Sequence, residues 1–135
     1  MKVWISTAMV IMLASPAGAQ WNDDADKCTR EMADLDLKIQ YCSRAIQSSE
    51  LSQGNLANIY NTRGSAYGRN GQYDQAIRDF NQSIRLNPDD PLAFTNRGIA
   101  YTLLNEATRA IQDYDQASRL DSSKFKPFVY RGIDQ

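Results

Sequence analysis

The feature that most constrains this chain is a set of residues that recurs at a fixed interval. Positions 64 and 98 are both glycine and lie 34 residues apart. The same interval separates the pairs Tyr67 and Tyr101, Ala76 and Ala110, Phe80 and Tyr114, and Leu86 and Leu120. Five pairs in one register do not arise by chance, so the chain is built from structural repeats of that length.

Within each repeat, the apolar residues have the spacing of helices. Those at 60, 67, 76, 77, 80 and 84 recur at intervals of three, four and seven, which places them on one stripe of each of two helices. Gly64 and Gly98 fall inside predicted helices, where glycine costs about 1 kcal/mol relative to alanine. We therefore expect a neighbouring helix to approach closely at both glycines. No stretch alternates as a strand does, so the predicted fold class is all-α.

Turn and cap residues divide the pattern into elements. Asn70-Gly71 predicts a turn, Asn87-Pro88 ends a helix, and Asp90 followed by Pro91 starts the next one. The helices predicted in this way span about 23–33, 36–48, 53–70, 73–86, 91–104 and 107–120, with a short one from about 127.

This arrangement resembles the tetratricopeptide repeat, a helix-turn-helix unit of about 34 residues. The residues that carry the resemblance are Tyr60, Gly64, Tyr67, Ala76, Phe80 and Pro88 in one unit and Phe94, Gly98, Tyr101, Ala110 and Tyr114 in the next. The resemblance covers roughly 35–135. It implies a short right-handed solenoid of helix-turn-helix repeats and a role in binding a protein or peptide partner.

The resulting organisation has five parts. Residues 1–19 are a predicted signal peptide, 20–55 a degenerate first hairpin, 56–89 and 90–123 two repeats, and 124–135 a partial third repeat or capping helix. The degenerate hairpin is recognised because LDLKIQYCSRAIQ, from Leu35, aligns with YDQAIRDFNQSIR, from Tyr73.

The first 19 residues have the layout of a secretory leader. Lys2 precedes an apolar run, and the small residues Ala17-Gly18-Ala19 predict cleavage after Ala19. We therefore expect a periplasmic or secreted protein with no membrane span after cleavage. Without Lys2, 14 basic residues face 16 acidic ones, a balance of −2 that argues against nucleic acid as a partner.

Two cysteines, Cys28 and Cys42, lie on the two helices of the degenerate hairpin. In an exported chain we favour a disulfide between them, the alternative being two buried free thiols. The chain has no histidine and no C-x-x-C pair, so we expect no catalysis, no metal and no cofactor. A small secreted enzyme is the disfavoured alternative, and a self-associating structural component is the other.

In the family, ligands lie in a groove lined by the first helix of each repeat. Transferred by alignment, the groove positions are Asn58, Asn61, Thr62, Ser65 and Arg69, then Leu92, Thr95, Asn96, Ile99 and Thr102. The alternative interpretation of each position is a solvated helix face without a ligand.

Two further features are open to structural and functional interpretations. Arg63, Arg97 and Arg131 recur in register with Asp79 and Asp113, which favours internal ion pairs over a ladder of cations for acidic ligands. Near the C-terminus, Phe125, Phe128 and Tyr130 form a second candidate partner-binding face. They either cap the solenoid, bind a copy or a different protein, or are the remnant of a truncated repeat.

Overall fold

Six helices follow one another without a strand among the residues described. The structure is a computed structural model, which describes the backbone of residues 16–133 and the side chains of residues 23–122. The helices are α1 (Pro16–Thr29), α2 (Leu35–Gln47), α3 (Gln53–Arg69), α4 (Tyr73–Leu86), α5 (Pro91–Leu103) and α6 (Ala107–Ile133). The predicted all-α fold is confirmed. None of these helices is long and apolar enough to cross a membrane.

The helices form two layers. Each helix packs against the next, and α3 also touches α1 and α5. Among the described residues, the outer helices α2, α4 and α6 make no such contacts with each other. Close contact on one side and separation on the other produce the curvature of a helical solenoid, and α1, α3 and α5 form its inner layer.

Local capping explains the helix bounds that agree with the sequence. The side chain of Ser52 accepts a hydrogen bond from the backbone N–H of Asn55, and that of Asp90 accepts one from Leu92. Gly71, at a φ of 80°, makes the turn between α3 and α4. Asn105 makes the equivalent turn one repeat later at a φ of 61°, a conformation that asparagine tolerates better than most residues.

Two predicted bounds are wrong. The first helix spans Pro16–Thr29 instead of 23–33, because residues 30–34 connect it to the Asp34 cap of α2. The last helix runs without a break to Ile133, whereas a separate short helix was predicted from about 127. Pro127 is the local signal for a boundary there, since proline lacks the backbone N–H of a helical hydrogen bond, yet the helix continues past it.

The expected disulfide joins Cys28 of α1 to Cys42 of α2. Both cysteines are fully buried and form a small core with Ala45 and Ile59. Ile59 lies on α3, so this core connects the first hairpin to the repeats that follow. A second core, of Ala76, Phe80 and Ala100, connects α4 to α5.

The close approach expected at the two glycines is confirmed. A Cβ atom built on Gly64 would lie 2.7 Å from the Phe80 ring, and one built on Gly98 would lie 2.7 Å from the Tyr114 ring. The surroundings of the two rings differ, because Phe80 is 2% exposed and Tyr114 is 37% exposed. Only the Tyr114 ring has room to move aside.

Removal of the disulfide is expected to lower the free energy of unfolding. In the chain-entropy model, closing a loop of about 15 residues contributes about 3 kcal/mol. The Cys28→Ser, Cys42→Ser variant should therefore unfold at a lower denaturant midpoint than the oxidised protein, measured by circular dichroism. Equal midpoints would contradict a stabilising disulfide.

Alanine substitutions at the glycines should separate the two contacts. We expect Gly64→Ala to destabilise by about 1 to 3 kcal/mol, because the buried Phe80 ring cannot yield. Gly98→Ala should cost less, since Tyr114 can shift and alanine favours the helix by about 1 kcal/mol. Gly54, with nothing within 4 Å of an added Cβ, is the control, and its alanine variant should not be destabilised. The check is a denaturant titration of all three variants.

Candidate functional site

Two adjoining open pockets lie along α3 and α5 and together are called the groove here. The polar pocket, of about 350 Å³, is lined by Thr29, Glu31, Lys38, Asn58, Asn61, Thr62, Ser65, Ala66, Arg69, Leu92 and Asn96. The apolar pocket, of about 270 Å³, is lined by Ser65, Gly68, Arg69, Tyr73, Phe80, Asn96, Ile99, Ala100 and Leu103. Because both pockets share Ser65, Arg69 and Asn96, they form one continuous site.

A buried lysine lies in the wall of the polar pocket. Lys38 is 7% exposed, and its Nζ donates a hydrogen bond of 2.7 Å to the carbonyl of Arg30 just beyond the end of α1. No carboxylate lies within ion-pair distance of this ammonium group among the described residues. A buried cation without a carboxylate is costly, so the site favours an anion.

Arg69 stands at the junction of the two pockets and has no hydrogen-bond or ion-pair partner among the residues described. Its side chain is exposed at the C-terminal end of α3. The carboxylate in the lining is Glu31, against two cations, so the polar pocket has a positive balance. An unpaired guanidinium can bind a carboxylate or phosphate through two hydrogen bonds.

Two asparagines connect α3 to α5 across the polar pocket. The Nδ2 atom of Asn96 donates a hydrogen bond of 3.2 Å to Oδ1 of Asn61. Asn61 is 5% exposed, which leaves Asn96 and the exposed Asn58 as the more accessible amides. Amide groups of this kind can donate to and accept from a peptide backbone.

The apolar pocket continues along one stripe of α5. Leu92, Ile99 and Leu103 follow at intervals of seven and four residues and are 56%, 46% and 53% exposed. Ile99 and Leu103 line the apolar pocket, whereas Leu92 lines the polar one. Exposed aliphatic side chains grouped beside a pocket are typical of surfaces that bind another protein.

Eight of the ten predicted groove positions line these pockets, namely Asn58, Asn61, Thr62, Ser65, Arg69, Leu92, Asn96 and Ile99. Thr95 and Thr102 do not, since their hydroxyls donate to the carbonyls of Pro91 and Gly98 within α5. The binding role of all ten positions stays a prediction. The side chains of Phe125, Phe128 and Tyr130, the predicted C-terminal face, lie outside the described residues.

Lys38 was missed by the sequence analysis, although a signal for it exists. In the alignment of Leu35 with Tyr73, Lys38 falls where the full repeats have a small residue, Ala76 or Ala110. In the full repeats, the small residue at this position lets two helices pack closely. A lysine there indicates that the degenerate hairpin carries a charge where the full repeats have none.

The recurring arginines are used internally. Arg63 donates from Nε and Nη2 to the two carboxylate oxygens of Asp79, both at 2.8 Å, and from Nη1 to Ser43 of α2 at 3.0 Å. These hydrogen bonds to Asp79 raise the pKa of Arg63 above its ordinary value.

Arg97 repeats this contact one repeat later. It binds Asp113 at 2.7 and 2.6 Å and Asn81 of α4 at 2.8 Å, and the hydrogen bonds to Asp113 raise its pKa as well. Internal pairing, the favoured interpretation, is therefore confirmed for these two arginines. The side chain of Arg131 lies outside the described residues.

Substitution of a paired arginine should cost much more stability than substitution of an unpaired one. Asp79 is 4% exposed, so Arg63→Met leaves a buried carboxylate without its cation and should cost about 3 to 5 kcal/mol. Arg69→Met, which removes an unpaired arginine, should change stability by less than about 0.5 kcal/mol. Thermal unfolding of both variants measures the difference. Similar losses of stability would contradict the conclusion that Arg69 makes no stabilising contact within the chain.

Comparisons with known proteins agree with this architecture. The tetratricopeptide repeat family model matches residues 61–124. The chain is similar to the crystal structure of MamA at 24% identity and a TM-score of 0.61, over 70% of this chain and 53% of that one. It thus spans about half the length of the MamA structure. No curated protein matches the chain.

Two other solved structures match most of their own length. The second TPR of Spaghetti (RPAP3) bound to HSP90 peptide SRMEEVD has 25% identity and a TM-score of 0.67, over 75% of this chain and 92% of that one. The TPR2B domain of yeast Sti1 in complex with pHsp70 has 19% identity and a TM-score of 0.71, over 87% of this chain and 92% of that one.

Proposed function

We propose that this chain, which belongs to the tetratricopeptide-repeat proteins, is an exported interaction module that holds a peptide segment of a partner protein in its groove. It acts without catalysis. The ligand combines an anionic group, bound in the polar pocket, with an apolar side chain, bound in the apolar pocket.

The observation that carries this proposal is the junction of the two pockets at Arg69. An anion placed there would meet an uncommitted guanidinium and lie in the same pocket as the buried ammonium of Lys38. Ligand burial would strengthen both interactions, because the effective dielectric falls when water is displaced. An adjacent apolar side chain would cover Ile99 and Leu103, which are half exposed without a ligand.

Similarity to structures that contain peptides supports the same conclusion. One of the similar structures holds the HSP90 peptide SRMEEVD, in which acidic residues flank an apolar one. The step from that protein to this chain is an analogy of fold, so the partner here is defined by its chemistry alone.

Export is part of the proposal. The leader predicted at 1–19 and the disulfide between Cys28 and Cys42 both favour an oxidising compartment, the periplasm or the exterior. A partner would then be met in that compartment. The alternative function, a structural component that self-associates, is favoured by a different surface, the exposed side of α6 around Ile111.

Peptide binding by the groove can be tested with labelled peptides that place an acidic residue beside an aliphatic one. We expect measurable affinity by fluorescence anisotropy, lost by at least about tenfold in Arg69→Glu and in Leu103→Asp. Affinity should fall with added salt, since the anionic part of the contact is screened. Peptides with a free or an amidated C-terminus distinguish a terminal carboxylate from an acidic side chain.

The control is Arg78→Glu on α4. Arg78 is also exposed and has no partner among the described residues, but it does not line either pocket. If this control weakens binding as much as Arg69→Glu does, the groove is not the binding site. Absence of binding by every peptide would overturn the proposed function.

A further inference from the structure

The turn between α3 and α4 contains the one Asn-Gly pair of the sequence, at Asn70 and Gly71. Both residues are exposed. Gly71 has a φ of 80°, and nothing lies within 4 Å of the position that a Cβ atom would occupy there. Because glycine has no Cβ atom, its backbone nitrogen is accessible to the side chain of Asn70.

An asparagine followed by glycine can react with the backbone of its own chain. The Gly71 nitrogen attacks Cγ of Asn70, a bond forms between these two atoms, and the bond from Cγ to Nδ2 breaks. The Nδ2 group leaves as ammonia and takes the proton of the Gly71 amide. Water then opens the cyclic imide at either of its two carbonyl groups, which leaves an aspartate or an isoaspartate at position 70. The reaction consumes water alone.

Local opening of the turn gives access to this reaction. In the closed turn, the N–H of Gly71 donates a hydrogen bond of 3.1 Å to the carbonyl of Gly68. This hydrogen bond has to break before the nitrogen can give up its proton and attack. Asn70 is the C-cap of α3, and exposed helix ends open at a small cost in free energy.

The contacts of Asn70 show what the reaction would change. Its Nδ2 atom donates a hydrogen bond of 3.3 Å to Oδ1 of Asp36 on α2 and one of 2.8 Å to Oε1 of Gln72. An aspartate at position 70 has acceptors only, so both hydrogen bonds would be lost. The new carboxylate would lie beside that of Asp36 and at the negative end of the α3 macrodipole.

We propose that Asn70 is a site of spontaneous deamidation, and that the reaction weakens the contact between the disulfide-bonded hairpin and the first full repeat. Asp36 belongs to the hairpin, whereas Asn70 ends the first helix of the repeat. A hydrogen bond between these two parts is replaced by repulsion between like charges. The test requires no ligand, so it is independent of the proposed function.

Deamidation is measured by incubation of the oxidised, processed protein at mildly alkaline pH, followed by peptide mapping with mass spectrometry. We expect the mass change from amide to acid at Asn70 before it is detected at any other asparagine, with isoaspartate among the products. Asn105 is the internal control, because it is exposed in the equivalent turn but is followed by Glu106. Conversion of Asn70 that is no faster than conversion of Asn105 would overturn the proposal.

The variant Gly71→Asn tests the route of attack. The second full repeat has an asparagine, Asn105, at this position of the turn, with a φ of 61°, so the variant is expected to keep the turn. Its circular dichroism should match that of the parent protein. The added Cβ atom hinders the nitrogen, and deamidation of Asn70 should become slower. An unchanged rate would overturn attack by the backbone nitrogen of residue 71.

The variant Asn70→Asp reproduces one product and tests the consequence. We expect a melting temperature lower by about 2 to 5 °C, and a smaller loss in high salt, which screens the repulsion. Asp36→Asn should reduce the loss, because an amide at position 36 can donate to the new carboxylate.

Asn105→Asp is the matched control for stability. The side chain of Asn105 makes no hydrogen bond among the described residues, so this variant should melt as the parent protein does. If Asn70→Asp also melts as the parent does, or if Asp36→Asn leaves its loss of stability unchanged, the proposed effect on the contact with the hairpin is wrong.

Discussion

The contact on which the stacking depends is the three-point binding of each recurring arginine. Arg63 joins α3 to the carboxylate of Asp79 on α4 and to Ser43 on α2, and Arg97 joins α5 to α6 and α4 in the same way. One side chain therefore sets both the pairing of helices within a repeat and the register between repeats. Both aspartates are almost fully buried. If an arginine turned away to bind a ligand, it would leave a buried carboxylate without its cation, and the fold would lose much of its stability.

The groove is a consequence of this stacking. Because α3 contacts both α1 and α5, side chains of α3 and α5 meet those of α1 and α2 in the polar pocket and those of α4 in the apolar pocket. The disulfide-bonded hairpin contributes a charged side chain to the groove that the full repeats lack. Lys38 projects from α2 to the end of α1 and places a buried positive charge in the pocket wall, where the other repeats have alanine.

Much of the fold could be predicted from the sequence, because repetition and local signals agree. The helices Gln53–Arg69, Tyr73–Leu86 and Pro91–Leu103 match their predicted bounds to within one residue, since caps and turns mark their ends. Agreement fails at α1 and at the end of α6, where the helix continues past Pro127, the residue at which the sequence suggests a boundary. All ten groove positions came from alignment, and eight of them line the two pockets, whereas the hydroxyls of Thr95 and Thr102 donate to backbone carbonyls of their own helix.

What the sequence by itself determined was the period, the helical class, the position of the close contacts at Gly64 and Gly98, and the pairing of arginines with aspartates. Each of these follows from residue spacing, which is a local property or one repeated at a fixed interval. Only the tertiary structure decided which charged side chains have no ion-pair partner among the described residues. Whether Lys38 or Arg69 has a carboxylate within reach depends on how three helices converge, and whether Asn70 meets the carboxylate of Asp36 depends on how the turn after α3 packs beside α2. Both are properties of the packed helices, which no single repeat contains.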